Sequence, residues 1–126
     1  MRALLDTQVL LWWLFDDPRL NEKITATISD EDNDILISAV SAFEISTKKL
    51  IGKLDTPDDL EEQLETSAFI ELPATIAHCF EVGKLPLHHK DPFDRLIVAQ
   101  ARCEDLTLIT ADRTLRSYDV QIMSAN

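Results

Sequence analysis

Apolar and polar residues alternate in short blocks along the chain, and the blocks switch between two periods. RALL (residues 2–5) is a brief β-type run that ends at Asp6. DTQVLLWWLFDD then carries Leu10, Trp13 and Leu14 at helical spacing, with Asp6 or Thr7 placed to cap the helix. PRLNEKITATIS predicts a second helix, opened by Pro18. DILIS reads as a strand, and VSAFEISTKKLIGKL as a helix with Ser41 and Glu44 at capping-box spacing and Gly52 near its end. TPDDLEEQLETSA predicts an acidic helix, FIELP a strand, and ATIAHCFEVGKL a helix that closes near Gly83. DPFDRLIVAQARCEDL is the most apolar helical stretch. TLIT, ADRTLRSY and VQIM follow as strand, helical turn and strand. Strands and helices therefore alternate from end to end. The expected fold is α/β, a three-layer α/β/α sandwich around a central parallel sheet. The strand runs are short and continuously apolar, as strands covered on both faces should be. With two glycines, five prolines and no repeat or linker, the 126 residues are expected to form a single domain, 1–126.

Alternation also fixes where the acids fall. Asp6 ends the first strand, and Asp112 follows TLIT by one residue. Glu44 lies early in the helix after DILIS. Asp94 lies in the first turn of the helix that feeds TLIT. A helix leading into a parallel strand runs antiparallel to it, so its N-terminus also lies at the carboxyl edge of the sheet. Four acids distant in sequence are thus expected on one rim, the edge where parallel sheets bind ligands. Each has a local explanation as well. Asp6 and Asp112 can cap helices, Glu44 can complete the Ser41 capping box, and Asp91 can cap a helix with Pro92 at its first position and Asp94 in its first turn. Caps need not converge, however. Two carboxylates about 4 Å apart repel by roughly 4 kcal/mol at an effective dielectric near 20. A cluster of four calls for protons or a divalent cation, and oxygen-only donors favour Mg²⁺ or Mn²⁺. Carboxylate-held Mg²⁺ suits phosphodiester hydrolysis, since it lowers the pKa of a bound water and offsets phosphate charge.

Bulk properties change this picture in one respect. The composition is 45% hydrophobic and 28% charged, that of an ordinary globular protein, and no apolar run approaches a membrane span. The apolar N-terminus carries Asp6 and lacks a cleavage site, so it is expected to be core and not a signal peptide. The net charge of −11 is the opposite of a basic nucleic-acid stripe. A cation held by the acids would reverse that sign locally, where phosphate first meets the protein. Cys79 and Cys103 lack partners at ligand spacing and are expected to be buried thiols in a reducing, cytoplasmic setting.

Four segments, LLDTQVLLWWLFDDPRL, VSAFEISTKKLIGKL, HHKDPFDRLIVAQA and LTLITADRTLRSYDV, resemble in order the signature segments of PIN-domain proteins, most closely the toxin subunits of VapBC-type toxin–antitoxin pairs. The likeness runs from Leu4 to about Val120. It implies that Asp6, Glu44, Asp94 and Asp112 form an acidic catalytic and metal site, that Thr110 supports it, and that Asp91 is a less central acid. Gln8 departs from the family, where histidine is common after the Asp-Thr pair. The resemblance further implies a Mg²⁺-dependent endoribonuclease, a homodimer, and a cognate antitoxin that crosses the active-site groove and silences it.

Other readings fit less well. A receiver domain needs paired acids after the first strand, a central phospho-acceptor aspartate and a late lysine, none of which is present. A haloacid-dehalogenase-type phosphatase needs Asp-x-Asp where this chain has Asp-Thr-Gln. A PIN nuclease acting on ribosomal RNA or DNA remains as an alternative within the family. Lys48, Lys49 and Lys53, with Arg95, Arg113 and Arg116, could line a phosphate-contacting rim or simply be solvated. Trp12 and Trp13 are read as core or partner surface, and His88 and His89 as loop residues.

Overall fold

A computed structural model describes residues 1–126. The chain runs β1 (Arg2–Leu5), α1 (Thr7–Leu14), α2 (Glu22–Ser29), β2 (Asp34–Ser38), α3 (Ala39–Leu50), α4 (Leu60–Glu65), β3 (Ile70–Leu72), α5 (Ile76–Val82), α6 (Pro92–Cys103), β4 (Thr107–Thr110), a 3₁₀ turn (Arg113–Ser117) and β5 (Ile122–Ser124). All four strand pairings are parallel. The strand order is β3-β2-β1-β4-β5. The chain builds outward from β1 to one side and then crosses to the other, so the order reverses between β1 and β4. Receiver domains follow a different order, 2-1-3-4-5.

Alternation along the buried strands divides the interior into two cores. Ala3 and Leu5 of β1 face one cluster with Val9 and Leu10 of α1 and Ile24 and Ile28 of α2. Leu4, between them, faces the other cluster with Val40 of α3 and Ile97, Val98 and Ala101 of α6. This is the expected three-layer sandwich. In register, Leu5 lies level with Ile37 of β2 and Ile109 of β4, so Asp6 emerges beside Ser38 and Thr110.

Several local expectations are corrected. Helix α2 starts at Glu22 and not at Pro18, because the Asn21 side chain accepts the Ile24 N–H and caps it there. The acidic helix shrinks to six residues, Leu60–Glu65. Helix α3 is capped by Ser38, three residues ahead of the expected capping box. The Ser41 hydroxyl instead shares a hydrogen bond of 2.9 Å with Thr7. Glu44 therefore lies in the second turn and caps nothing. Cys79 and Cys103 are free but exposed, not buried. On α5 the inward position belongs to the neighbouring His78, and on α6 the buried stripe ends at Ala101. Trp12 is buried, Trp13 half-buried. No helix is long and apolar enough to cross a membrane.

Leu4 is fully buried in the central strand. Leu4→Ala is expected to lower unfolding stability by about 2–5 kcal/mol, measured by urea denaturation. A loss below about 0.5 kcal/mol would show that the second core is not packed around this side chain.

Candidate active site

Each expected acid reaches the carboxyl edge by a different element. Asp6 leaves β1, caps α1 by accepting the Val9 N–H at 2.8 Å, and donates its own N–H to the Ile109 carbonyl. Glu44 projects from α3. Asp94 stands in the first turn of α6, whose cap is Asp91, with Pro92 at the first helical position. Asp112 follows β4 and caps the 3₁₀ turn. Asp6, Glu44, Asp91, Asp94 and Asp112 line one cleft of about 570 Å³, with Lys48 and Lys53 on its wall. The cleft lies where the strand order reverses, the position at which open parallel sheets bind ligands.

The cleft holds more negative charge than it neutralises. Burial raises the Asp6 carboxyl to about 6, against hydrogen bonds from Thr110 and Val9, and the charges of Asp112 and Glu44 add to the rise. Burial raises Asp94 to about 7, with repulsion from Asp91, Asp6 and Glu44 reinforcing it and His89 opposing it. Asp112 goes the other way. Burial pushes it up, but hydrogen bonds from the Thr114 side chain and backbone and from His89 hold it below the usual range. Thr110 is buried, and its hydroxyl donates to Asp6 Oδ2. Glu44 Oε2 receives the Lys48 ammonium at 2.5 Å, while Glu44 Oε1 is buried with no partner. A buried, unpaired carboxylate oxygen is costly unless it meets a cation or a donor. This donor set, all carboxylate oxygen with one acceptor unspent, fits a divalent cation of the Mg²⁺ or Mn²⁺ kind.

The basic residues expected at the rim divide. Lys48 and Lys53 line the cleft. Lys49 turns away to Asp58 and the Thr56 carbonyl, and Arg116 to Ser124. Arg95 is spent on the carbonyls of Val82, Leu85, Pro86 and His89. Sequence reasoning missed His89, whose Nε2 is 3.0 Å from Asp112 Oδ2 and 3.3 Å from Asp94 Oδ2. Its signal was the spacing His-x-Asp-Pro, which sets the ring against the capping turn of α6.

Residues 3–121 match the family model described as PIN domain. The chain belongs to the PIN-domain family. Its similarity to Ribonuclease VapC22 of Mycobacterium tuberculosis is 30% identity over 123 residues, covering 92% of this chain and 91% of that protein. The fold is also that of VapBC2 from Rickettsia felis, solved bound to a DNA fragment from its promoter, with TM-score 0.76, 17% identity and all of both chains covered. FitAcB from Neisseria gonorrhoeae superposes with TM-score 0.70 at 23% identity, over 99% of this chain and 98% of that one.

The raised carboxyls set a pH dependence for this PIN domain without metal. Folded values of about 6 and about 7 lie above the ordinary 3.8, so between these limits the folded chain binds protons that the unfolded chain has released. Their contribution to stability is therefore lost as pH rises from roughly 4 to about 7. Asp94→Asn removes one charge from the cluster. In EDTA it is expected to melt at higher temperature than wild type at pH 8, by an amount equivalent to about 1–3 kcal/mol, with the difference shrinking as pH falls and closing near pH 4. Equal melting temperatures at pH 8 would show that the cluster is not strained.

Proposed function

We propose that the protein is a divalent-cation-dependent endoribonuclease, using Mg²⁺ or Mn²⁺, and the toxin of a type II toxin–antitoxin pair. The observation that carries this reading is the convergence of Asp6, Glu44, Asp94 and Asp112 in one cleft at the switch point of the sheet. Those four side chains would hold the ion. When bound, it supplies a water of lowered pKa and positive charge against the scissile phosphate. The chain supplies orientation. Val9 and Thr110 fix both oxygens of Asp6, and Thr114 fixes Oδ1 of Asp112. Lys53 is placed to meet phosphate at the wall of the cleft, while Lys48 holds Glu44 Oε2. Asp91 caps α6 and so presents Asp94.

The family and a relative named as a ribonuclease support cleavage of RNA. Similar folds solved as toxin–antitoxin complexes, one of them from Klebsiella pneumoniae, support a cognate antitoxin as partner. The acidic cleft suits an arginine or lysine from that partner, and the net charge of −11 would speed the approach of a basic segment. Exposed Ile76 and Phe80, one turn apart on α5, support self-association as a homodimer. We take residues 1–126 as one PIN domain acting in the cytoplasm. A housekeeping nuclease for ribosomal RNA or DNA is the alternative within the same fold.

The purified protein is expected to cleave RNA with Mg²⁺ or Mn²⁺ and to stop in EDTA. Asp6→Asn should reduce the rate by roughly a hundredfold or more while remaining folded. Expression in bacteria should arrest growth, co-expression with the product of the adjacent small gene should relieve the arrest, and Asp94→Ala should abolish it. Cleavage undiminished by EDTA or Asp6→Asn would reject the metal mechanism. Metal-dependent cleavage without toxicity would favour the housekeeping alternative.

A further inference from the structure

His89 is held more firmly than a loop residue needs to be. Its backbone N–H donates to the Tyr118 hydroxyl at 2.9 Å, and its carbonyl accepts from Arg95 Nη1 at 3.3 Å. The same Arg95 nitrogen donates to the Tyr118 hydroxyl at 3.1 Å, which closes a ring of tethers around the residue. The imidazole is held at both nitrogens. Nδ1 accepts the Asp91 backbone N–H at 3.0 Å, and Nε2 faces the two carboxylates.

Two roles are open to such a ring. Ligand atoms of His89, Asp94 and Asp112 all lie within 4.8 Å of one another, a spacing that would suit a three-ligand metal site. The other role is to hold the acids. The Asp91 contact decides between them. A ring nitrogen that accepts a hydrogen bond carries no proton, so the ring proton is on Nε2. A protonated nitrogen cannot ligate a metal, but it can donate to a carboxylate that does. Oδ1 of Asp112 is already occupied by the Thr114 N–H and hydroxyl, which leaves Oδ2 for His89.

We infer that His89 is a positioning residue for the metal-dependent reaction: its Nε2–H donates to Asp112, lies against Asp94, and fixes the spacing of these two carboxylates. The role rests on the reading of the cleft as a metal-dependent nuclease site. It places a donor between two like-charged acids, one from α6 and one from the turn after β4. Removing a donor of this kind costs about 10–100-fold in metal affinity or activity.

The test uses the full-length protein with ¹⁵N-labelled histidine. Ring-nitrogen NMR is expected to show His89 protonated at Nε2 and not at Nδ1, both without metal and with Mg²⁺. Calorimetric titration should show Mg²⁺ binding to His89→Ala weakened about tenfold or more. His89→Gln, whose amide NH₂ can reach the position of Nε2, should recover most of the affinity and of kcat. Three results would overturn the role: Nε2 losing its proton when Mg²⁺ is added, which makes His89 a ligand; His89→Ala binding Mg²⁺ as tightly as wild type; or His89→Gln binding as weakly as His89→Ala. If His89→Ala does not fold, the glutamine variant and the wild-type spectra still decide. Failure of the wild type itself to bind Mg²⁺ or cut RNA is a separate outcome, which overturns the nuclease reading and this role with it.

Discussion

Burial of acids gathered in one cleft governs this site: loss of water raises the carboxyls of Asp6 and Asp94, and repulsion from their acidic neighbours adds to the rise, while Asp112 stays a third exposed. Each neighbouring contact answers that repulsion. Thr110 and the Val9 N–H hold Asp6, Lys48 holds one oxygen of Glu44, and His89 with Thr114 holds Asp112. Where donors are plentiful, as at Asp112, the carboxyl stays ionised below the usual range. At Asp94, burial and then the charges of Asp91, Asp6 and Glu44 push it up to about 7. The protein's own donors leave a deficit, visible as the unpaired Glu44 Oε1. A divalent cation would remove it.

The backbone makes the cluster tolerable as well as close. Helices α1, α3 and α6 all begin at the carboxyl edge, with Asp6, Ser38 and Asp91 as their caps. Each helix start presents unpaired N–H groups and a partial positive charge, which favours nearby anions. The same parallel topology that gathers the acids therefore gathers three helix N-termini to face them. Asp6 serves in both capacities, as cap and as member of the cluster. The capping and site readings of the sequence were not exclusive for this residue. For Asp91 the cap is the observed function, since its Oδ1 accepts from Phe93 and Asp94.

The layers, the parallel strands and the edge on which the acids fall were legible because each follows from alternation and from a period of two or 3.6 residues. DILIS and TLIT became β2 and β4 residue for residue. Boundaries set by competing caps were not legible. Nothing in the sequence favours Ser38 over Ser41, and the choice is made by Thr7 of another helix, which takes the Ser41 hydroxyl. His78 and Gln100 were missed for a related reason. Both are polar yet buried, and their partners, Glu104, Ser38 and the Pro73 carbonyl, come from distant parts of the chain. His89 escaped because its importance lies in what the turn before α6 does to the ring, and no periodicity reports a turn.

The central claim is that these four carboxylates together hold one site for a divalent cation, and anomalous diffraction from crystals of the protein grown with Mn²⁺ tests it most directly. The account predicts a peak inside the cleft, within coordinating distance of carboxylate oxygens from Asp6, Glu44, Asp94 and Asp112, with His89 outside the ligand shell. An empty cleft at saturating Mn²⁺, or an ion held elsewhere on the acidic surface, would contradict it.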